Sequence, residues 1–125
     1  MLYIEDGVVY LTKADYGVLT MNDIKDAMGM AYTLREGDVM TLTVKAMPKD
    51  ESSVIFKTST VPGGDRLVIR SEDTANAEPG RYSADVQLIT ADGLPFTLWP
   101  RLEGSARYRS SNFKNFIIMP EVTSK

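Results

Sequence analysis

Between Pro79 and Pro100 the chain reads PGRYSADVQLITADGLPFTLWP, and this stretch narrows the possible folds more than any other. Tyr82, Ala84, Val86 and Leu88 alternate with Ser83, Asp85 and Gln87, so one face of an extended segment is apolar and the other polar. Ile89 breaks the alternation beside a turn. Ala91-Asp92-Gly93 supplies that turn, with Gly93 placed to take a positive φ. Phe96 and Leu98 flank Thr97 on the way back. The spacing predicts a β-hairpin, and a half-polar hairpin needs another layer over its apolar face.

Taken in order, the rest of the chain supplies more short strands. Met1 to Ile4 and Val8 to Leu11 surround the turn pair Asp6-Gly7, as a small hairpin or as a first strand preceded by an ordered tail. Asp15-Tyr16-Gly17 signals a second turn before a short strand at Val18 to Met21. Asn22 to Met30 is the helix candidate: Asn22 can cap it, Ile24, Ala27 and Met28 share one helical face, and Gly29 stops it. A polar loop carrying Ile24 and Met28 is the alternative.

Ala31 to Leu34 reads as a strand end, and Asp38, after Gly37, can accept local backbone hydrogen bonds. Val39 to Met47 alternates cleanly through Met40, Leu42, Val44 and Ala46. Ser53 to Thr58 and Arg66 to Arg70 are further strands, separated by the Pro62-Gly63-Gly64 loop. Ser71 to Asn76 is a polar connection or one helical turn, and Lys114 to Met119 is the last strand. The count is about seven or eight mostly antiparallel strands with at most one short helix. That pattern means an all-β sandwich or small barrel, and the missing crossover helices exclude a parallel α/β fold.

With 125 residues the chain fits one domain, residues 1–125. The absence of cysteine and histidine removes thiol nucleophiles, histidine bases and every Cys/His metal site. It also fits folding in a reducing compartment. Glu5 and Asp6 stand where a secretory leader carries a basic region and an apolar run, so no leader is expected, and nothing reaches transmembrane length. A net charge of −3 opposes free nucleic-acid binding, which needs phosphate neutralisation.

Carboxylates do not assemble into a catalytic pattern. Asp85 sits mid-strand, where a hydrogen bond or ion pair to a neighbouring strand explains it. Asp6, Asp15, Asp38, Glu72 and Asp73 all lie at turns, where capping explains them better than calcium. Ser111-Asn112-Phe113-Lys114 has Ser-x-x-Lys spacing at a strand entry, not on a helix. No catalytic residue, metal or cofactor is expected.

The segment from Arg101 to Asn112 is basic. Arg101, Arg107 and Arg109, with Tyr108 among them, form a candidate interface beside Trp99. The acid-rich residues 1–40 offer a complementary surface on a neighbouring copy. A solvated loop and nucleic-acid contact are the other readings of these arginines. Met21, Met28, Met30 and Met40 suggest an adaptable core or contact surface.

The run Gly80-Arg81-Tyr82-Ser83-Ala84-Asp85-Val86-Gln87-Leu88 resembles the Gly-x-Tyr-x-x-Asp-φ-Gln-Leu pattern of small structural proteins of tailed phages and prophages. An Asp-Gly turn and Thr97 follow as in that family, and Pro120-Glu121-Val122-Thr123 resembles its closing strand. Glu36-Gly37-Asp38 and Glu72-Asp73-Thr74 match its upstream turns. The resemblance is to the immunoglobulin-like N-terminal domain of upper-baseplate proteins and covers residues 8–123. It departs at Asn22–Met30 and at the longer Arg101–Asn112 segment, and the chain ends at Lys125 without a receptor-binding segment.

The resemblance implies an immunoglobulin-like β-sandwich acting as a virion assembly module in a baseplate, tail or neck. Its partners would be other phage structural proteins, with homo-oligomers or rings, and it would meet no membrane. Its location would be the virion, and the host cytoplasm during assembly. A carbohydrate- or peptide-binding sandwich is the alternative, and a small acid-pair enzyme is a third reading.

Overall fold

Asp6 and Gly7 both take positive φ, 52° and 75°, as a two-residue type I′ turn requires. They join β1 (Leu2–Glu5) to β2 (Val8–Thr12). The computed structural model that shows this describes residues 1–21, 24–26, 28–47, 49–100 and 114–121. After β2 come β3 (Gly17–Thr20), β4 (Val39–Lys45), a 3-10 turn at Glu51–Ser53 and β5 (Val54–Ser59). Then follow β6 (Arg66–Ile69), the single helical turn α1 (Ser71–Thr74), β7 (Gly80–Ile89), β8 (Pro95–Trp99) and β9 (Phe116–Met119). The fold is all-β, as expected, with nine strands among the described residues against an expected count of about seven or eight.

Seven strands form one sheet in the order β1-β2-β9-β7-β4-β5, with β8 also paired to β7; β3 and β6 form a second sheet. Every pair is antiparallel except β2 with β9. Alternation decides which side chains enter the core. Val9 and Leu11 from β2, Met40, Leu42 and Val44 from β4, Val86 and Leu88 from β7, and Phe116 and Ile118 from β9 are buried together. Leu19, Leu67 and Ile69 of the second sheet join the same cluster. Phe56 meets Phe116 edge to face, ring centres 5.9 Å apart. Each such aliphatic or aromatic side chain, fully buried, contributes about 1.5–3 kcal/mol relative to exposure.

The hairpin expected between Pro79 and Pro100 is β7 and β8. Gly93 has φ 86°, and Thr90 and Leu94 close the turn with a 2.9 Å backbone bond. Along β7, Tyr82, Ala84, Val86 and Leu88 are buried while Asp85, Gln87 and Ile89 are exposed. One edge of β7 is continuous with β4 from Ser83 to Ile89. The other edge is divided: β9 pairs with Gly80–Tyr82, and β8 pairs with Val86–Ile89.

Asn115 fills the gap between them. Its side-chain Oδ1 accepts from the Ala84 N–H at 2.7 Å, and its Nδ2 donates to the Ala84 carbonyl at 2.9 Å. Its own N–H donates to Tyr82 O, and its carbonyl accepts from Val9 N–H. A fully buried side-chain amide thus completes a sheet ladder that the backbone leaves open.

The helix expected over Asn22–Met30 does not form among the described residues of that stretch. Lys25 bridges Ala31 instead, and the Asp26 carboxylate accepts from the Met28 and Met30 N–H groups. Gly29, at φ 78°, turns the chain back. An aspartate in mid-segment offers the backbone a competing turn, so helical spacing of Ile24 and Met28 is insufficient. Ile24 is buried whereas Met28 and Met30 are exposed. Asn22 and Ala27 lie outside the described residues. Ala31 to Leu34 is likewise no strand; Ala31 makes one bridge and the rest runs as a loop.

Candidate interaction surface

Of the candidate interface residues, Trp99 is placed and Arg101, Arg107, Tyr108 and Arg109 lie outside the described residues. Trp99 ends β8 opposite Val86, half-buried and packed against the core cluster. Its ring is therefore committed in part to the scaffold.

Asp73 caps its turn as expected, and Asp50 does likewise, whereas Asp15 forms an ion pair. The Asp73 carboxylate accepts from Arg70 N–H, and the Asp50 carboxylate from Ser52 N–H. Asp15 pairs with the Met1 ammonium. Tyr82 is a core residue whose hydroxyl donates to the Glu78 carbonyl at 2.5 Å; burial, then the charge of Glu78, raises its pKa. Asp85 lies on the exposed face of the large sheet. Partial burial of its carboxyl, helped by the charge of Glu51, raises its pKa, outweighing the pull of Lys45 and Lys57. No group of three or more acids among the described residues is arranged to hold a metal.

Asp38 reaches further than a local cap. It is fully buried, and its Oδ2 accepts from the Tyr32 hydroxyl at 2.6 Å and the Arg35 N–H at 2.8 Å. Its Oδ1 accepts from Ala91 N–H at 2.9 Å, across the molecule at the tip of the β7–β8 hairpin. Its carbonyl accepts from Gly63 N–H. Burial pushes its pKa up, but the bonds from Tyr32, Arg35 and Ala91 together outweigh burial and leave it below the usual carboxylate range. The bond to Asp38, then burial, raises the Tyr32 pKa. Tyr32 also lies under the Arg35 guanidinium, 5.6 Å from ring centre, and edge-on to Phe96. This knot ties three loops at one end of the sandwich and leaves no free reactive group at its centre.

The outer face of the large sheet has two halves of different chemistry. Across β5, β4, β7 and β8 one register row is Ser59, Thr41, Gln87 and Thr97. The next row is Lys57, Thr43 and Asp85. Across β1, β2, β9 and β7 the corresponding row is Tyr3, Tyr10, Ile117 and Arg81. Tyr3 and Tyr10 stack at 4.7 Å with planes 10° apart. This row faces away from the core and sets two tyrosines and an isoleucine beside Arg81.

That second half also ends in an open edge. β5, at the far side, contacts α1 and β6, and the Thr58 hydroxyl donates to the Val68 carbonyl. β1 pairs with β2 alone among the described residues. Ile4 on β1 is 60% exposed. The sequence carries no signal that Tyr3, Tyr10 and Ile117 share a row, because the row depends on the parallel β2–β9 register, which no local pattern encodes. No family model, curated protein or solved structure matches the chain.

Proposed function

We propose that the chain is a non-enzymatic structural module of a tailed phage or prophage, assembled into a baseplate, tail or neck through protein–protein contacts. The observation that carries the contact reading is the β1 edge, unpaired among the described residues, which continues the Tyr3–Tyr10–Ile117 row on one face of the sheet and exposes Ile4 on the other. An uncovered edge presents unpaired backbone donors and acceptors to another strand, and natural proteins blunt such edges when they are not used. The phage setting rests on the resemblance of the Gly80–Leu88 run and its flanking turns to upper-baseplate domains.

Mass spectrometry of tailed particles banded on a density gradient tests this reading. The chain is expected in intact particles at a fixed ratio to the other virion proteins. Its absence from particles that are otherwise complete refutes the structural role. A carbohydrate-binding reading draws on the polar row Ser59, Thr41, Gln87 and Thr97. Calorimetric saccharide binding by the monomer, lost in Gln87→Ala, would favour that reading instead.

A further inference from the structure

We infer that β1 is the seam of a two-fold dimer, in which the β1 strands of two copies pair antiparallel about Tyr3. The inference rests on the reading of this hairpin as a contact surface and names its partner as a second copy of the chain.

Hairpin geometry determines which backbone groups are free. A two-residue turn makes Glu5 and Val8 a hydrogen-bonded pair, so Tyr3 with Tyr10 and Met1 with Thr12 are hydrogen-bonded pairs too. The Thr12 N–H to Met1 carbonyl bond, 2.9 Å, agrees. The N–H and C=O groups of Leu2 and Ile4 therefore point away from β2, toward the open edge. None has a partner among the described residues.

Antiparallel self-pairing must bring edge-facing residues opposite one another. Centring on Tyr3 sets Leu2 against Ile4 of the second copy and engages both residues of each strand. Centring on Ile4 sets Leu2 against Asp6, which has left the strand at φ 52°. Centring on Leu2 carries Ile4 past the end of the other strand. The Tyr3 register alone uses every free edge group, covers Ile4 with Leu2, and continues the tyrosine row across the seam.

Charge favours the same arrangement. Glu5 and Asp6 stand at one end of β1, and the Met1 ammonium and Lys13 at the other, where Asp15 already holds the ammonium. Glu5, Asp6 and Lys13 have no ion-pair partner among the described residues. Antiparallel pairing places the acidic end of each copy beside the basic end of the other; parallel pairing would stack like on like.

Light scattering after size exclusion, combined with cysteine cross-linking, tests the seam. The wild type is expected at twice the 13.9 kDa chain mass. Ile4→Pro removes an N–H that faces outward, where an edge strand tolerates proline, and should weaken the dimer about tenfold or more. Ile4→Lys should act alike, with far-UV circular dichroism of both variants unchanged.

The chain has no cysteine, so Tyr3→Cys is a clean register probe. Opposed residues in a non-hydrogen-bonded pair lie about 4.5 Å apart at Cα, within disulfide range. Tyr3→Cys should cross-link on mild oxidation, and Ile4→Cys should not. Cross-linking of Ile4→Cys but not Tyr3→Cys overturns the register. A wild type that stays monomeric to about 100 µM overturns the seam itself. Incorporation into particles is measured separately, so failure of the seam and failure of the virion reading are distinguishable.

Discussion

Replacing Asp38 tests whether one buried carboxylate fastens the end of the sandwich. It accepts from Tyr32, Arg35 and Ala91, and no solvent reaches it. Hydrogen bonds to a charged group contribute about 1.5–3 kcal/mol each, and an abandoned buried donor costs about 1–3 kcal/mol. The Tyr32 hydroxyl and the Arg35 amide are only part-buried and can turn to water. Asp38→Ala should therefore cost about 4 kcal/mol rather than the full sum. Asp38→Asn keeps one acceptor oxygen and sets an NH₂ against a remaining N–H donor, for about 2–3 kcal/mol. At this chain length the alanine variant should melt about 15 °C lower.

Urea melts across pH separate this from a simple packing loss. The folded pKa of Asp38 is depressed, so its stabilising effect is complete above the unfolded value of about 3.9. It is lost as pH falls through the lower folded value. The gap between wild type and Asp38→Asn should be constant from about pH 5 to 8 and should close in acid. A gap below about 0.5 kcal/mol at pH 7, or one that widens in acid, refutes the account.

Asn115→Leu should cost about 2–4 kcal/mol by orphaning the Ala84 N–H and C=O, and Asn115→Asp should cost more, because it sets a charge against that carbonyl; thermal melts with circular dichroism read both. Asp85→Asn should behave oppositely to Asp38→Asn. Its folded pKa is raised, so ionisation opposes folding above that value, and the variant should gain stability at pH 7 and lose the gain below about pH 3.9 in the same urea series. Trp99→Ala with Arg107→Glu should reduce incorporation into particles if the basic segment is a contact; unchanged incorporation removes that segment from the interface.

Local pattern accounts for the strands whose partners are close in sequence. Alternation in β4 and β7 and the Asp6-Gly7 and Ala91-Gly93 turns suffice to place β1, β2, β4, β7 and β8, since each hairpin is closed by its own turn chemistry. Asp38 was legible as a turn acceptor, but its bond to Ala91 spans 53 positions, and only tertiary docking of the hairpin tip brings that donor to it. Asn115 carried no signal at all. Its role depends on a gap between β8 and β9 that exists only after both have chosen the same edge of β7. Of the two readings of Asn22–Met30, no helix forms among the described residues, because the Asp26 turn competes with helical spacing there.

The open edge is reached from β7 by a chain of dependencies. Asn115 and the Gly80–Tyr82 ladder fix β9 on β7. The parallel register of β9 then sets β2, with Val9 against Phe116 and Leu11 against Ile118, and these four side chains are among the most deeply buried. β2 in turn holds β1 through the two-residue Asp6-Gly7 turn, and a slip by one residue would carry Leu2 away from the core it packs against. The orientation of the Leu2 and Ile4 backbone groups follows from the Asp6-Gly7 turn, whereas the place of that edge in the molecule follows from the packing of β2 on β9. Buried residues far from the surface thus decide where the free edge of β1 stands, so the seam proposed for it would be positioned by packing before any contact residue is chosen.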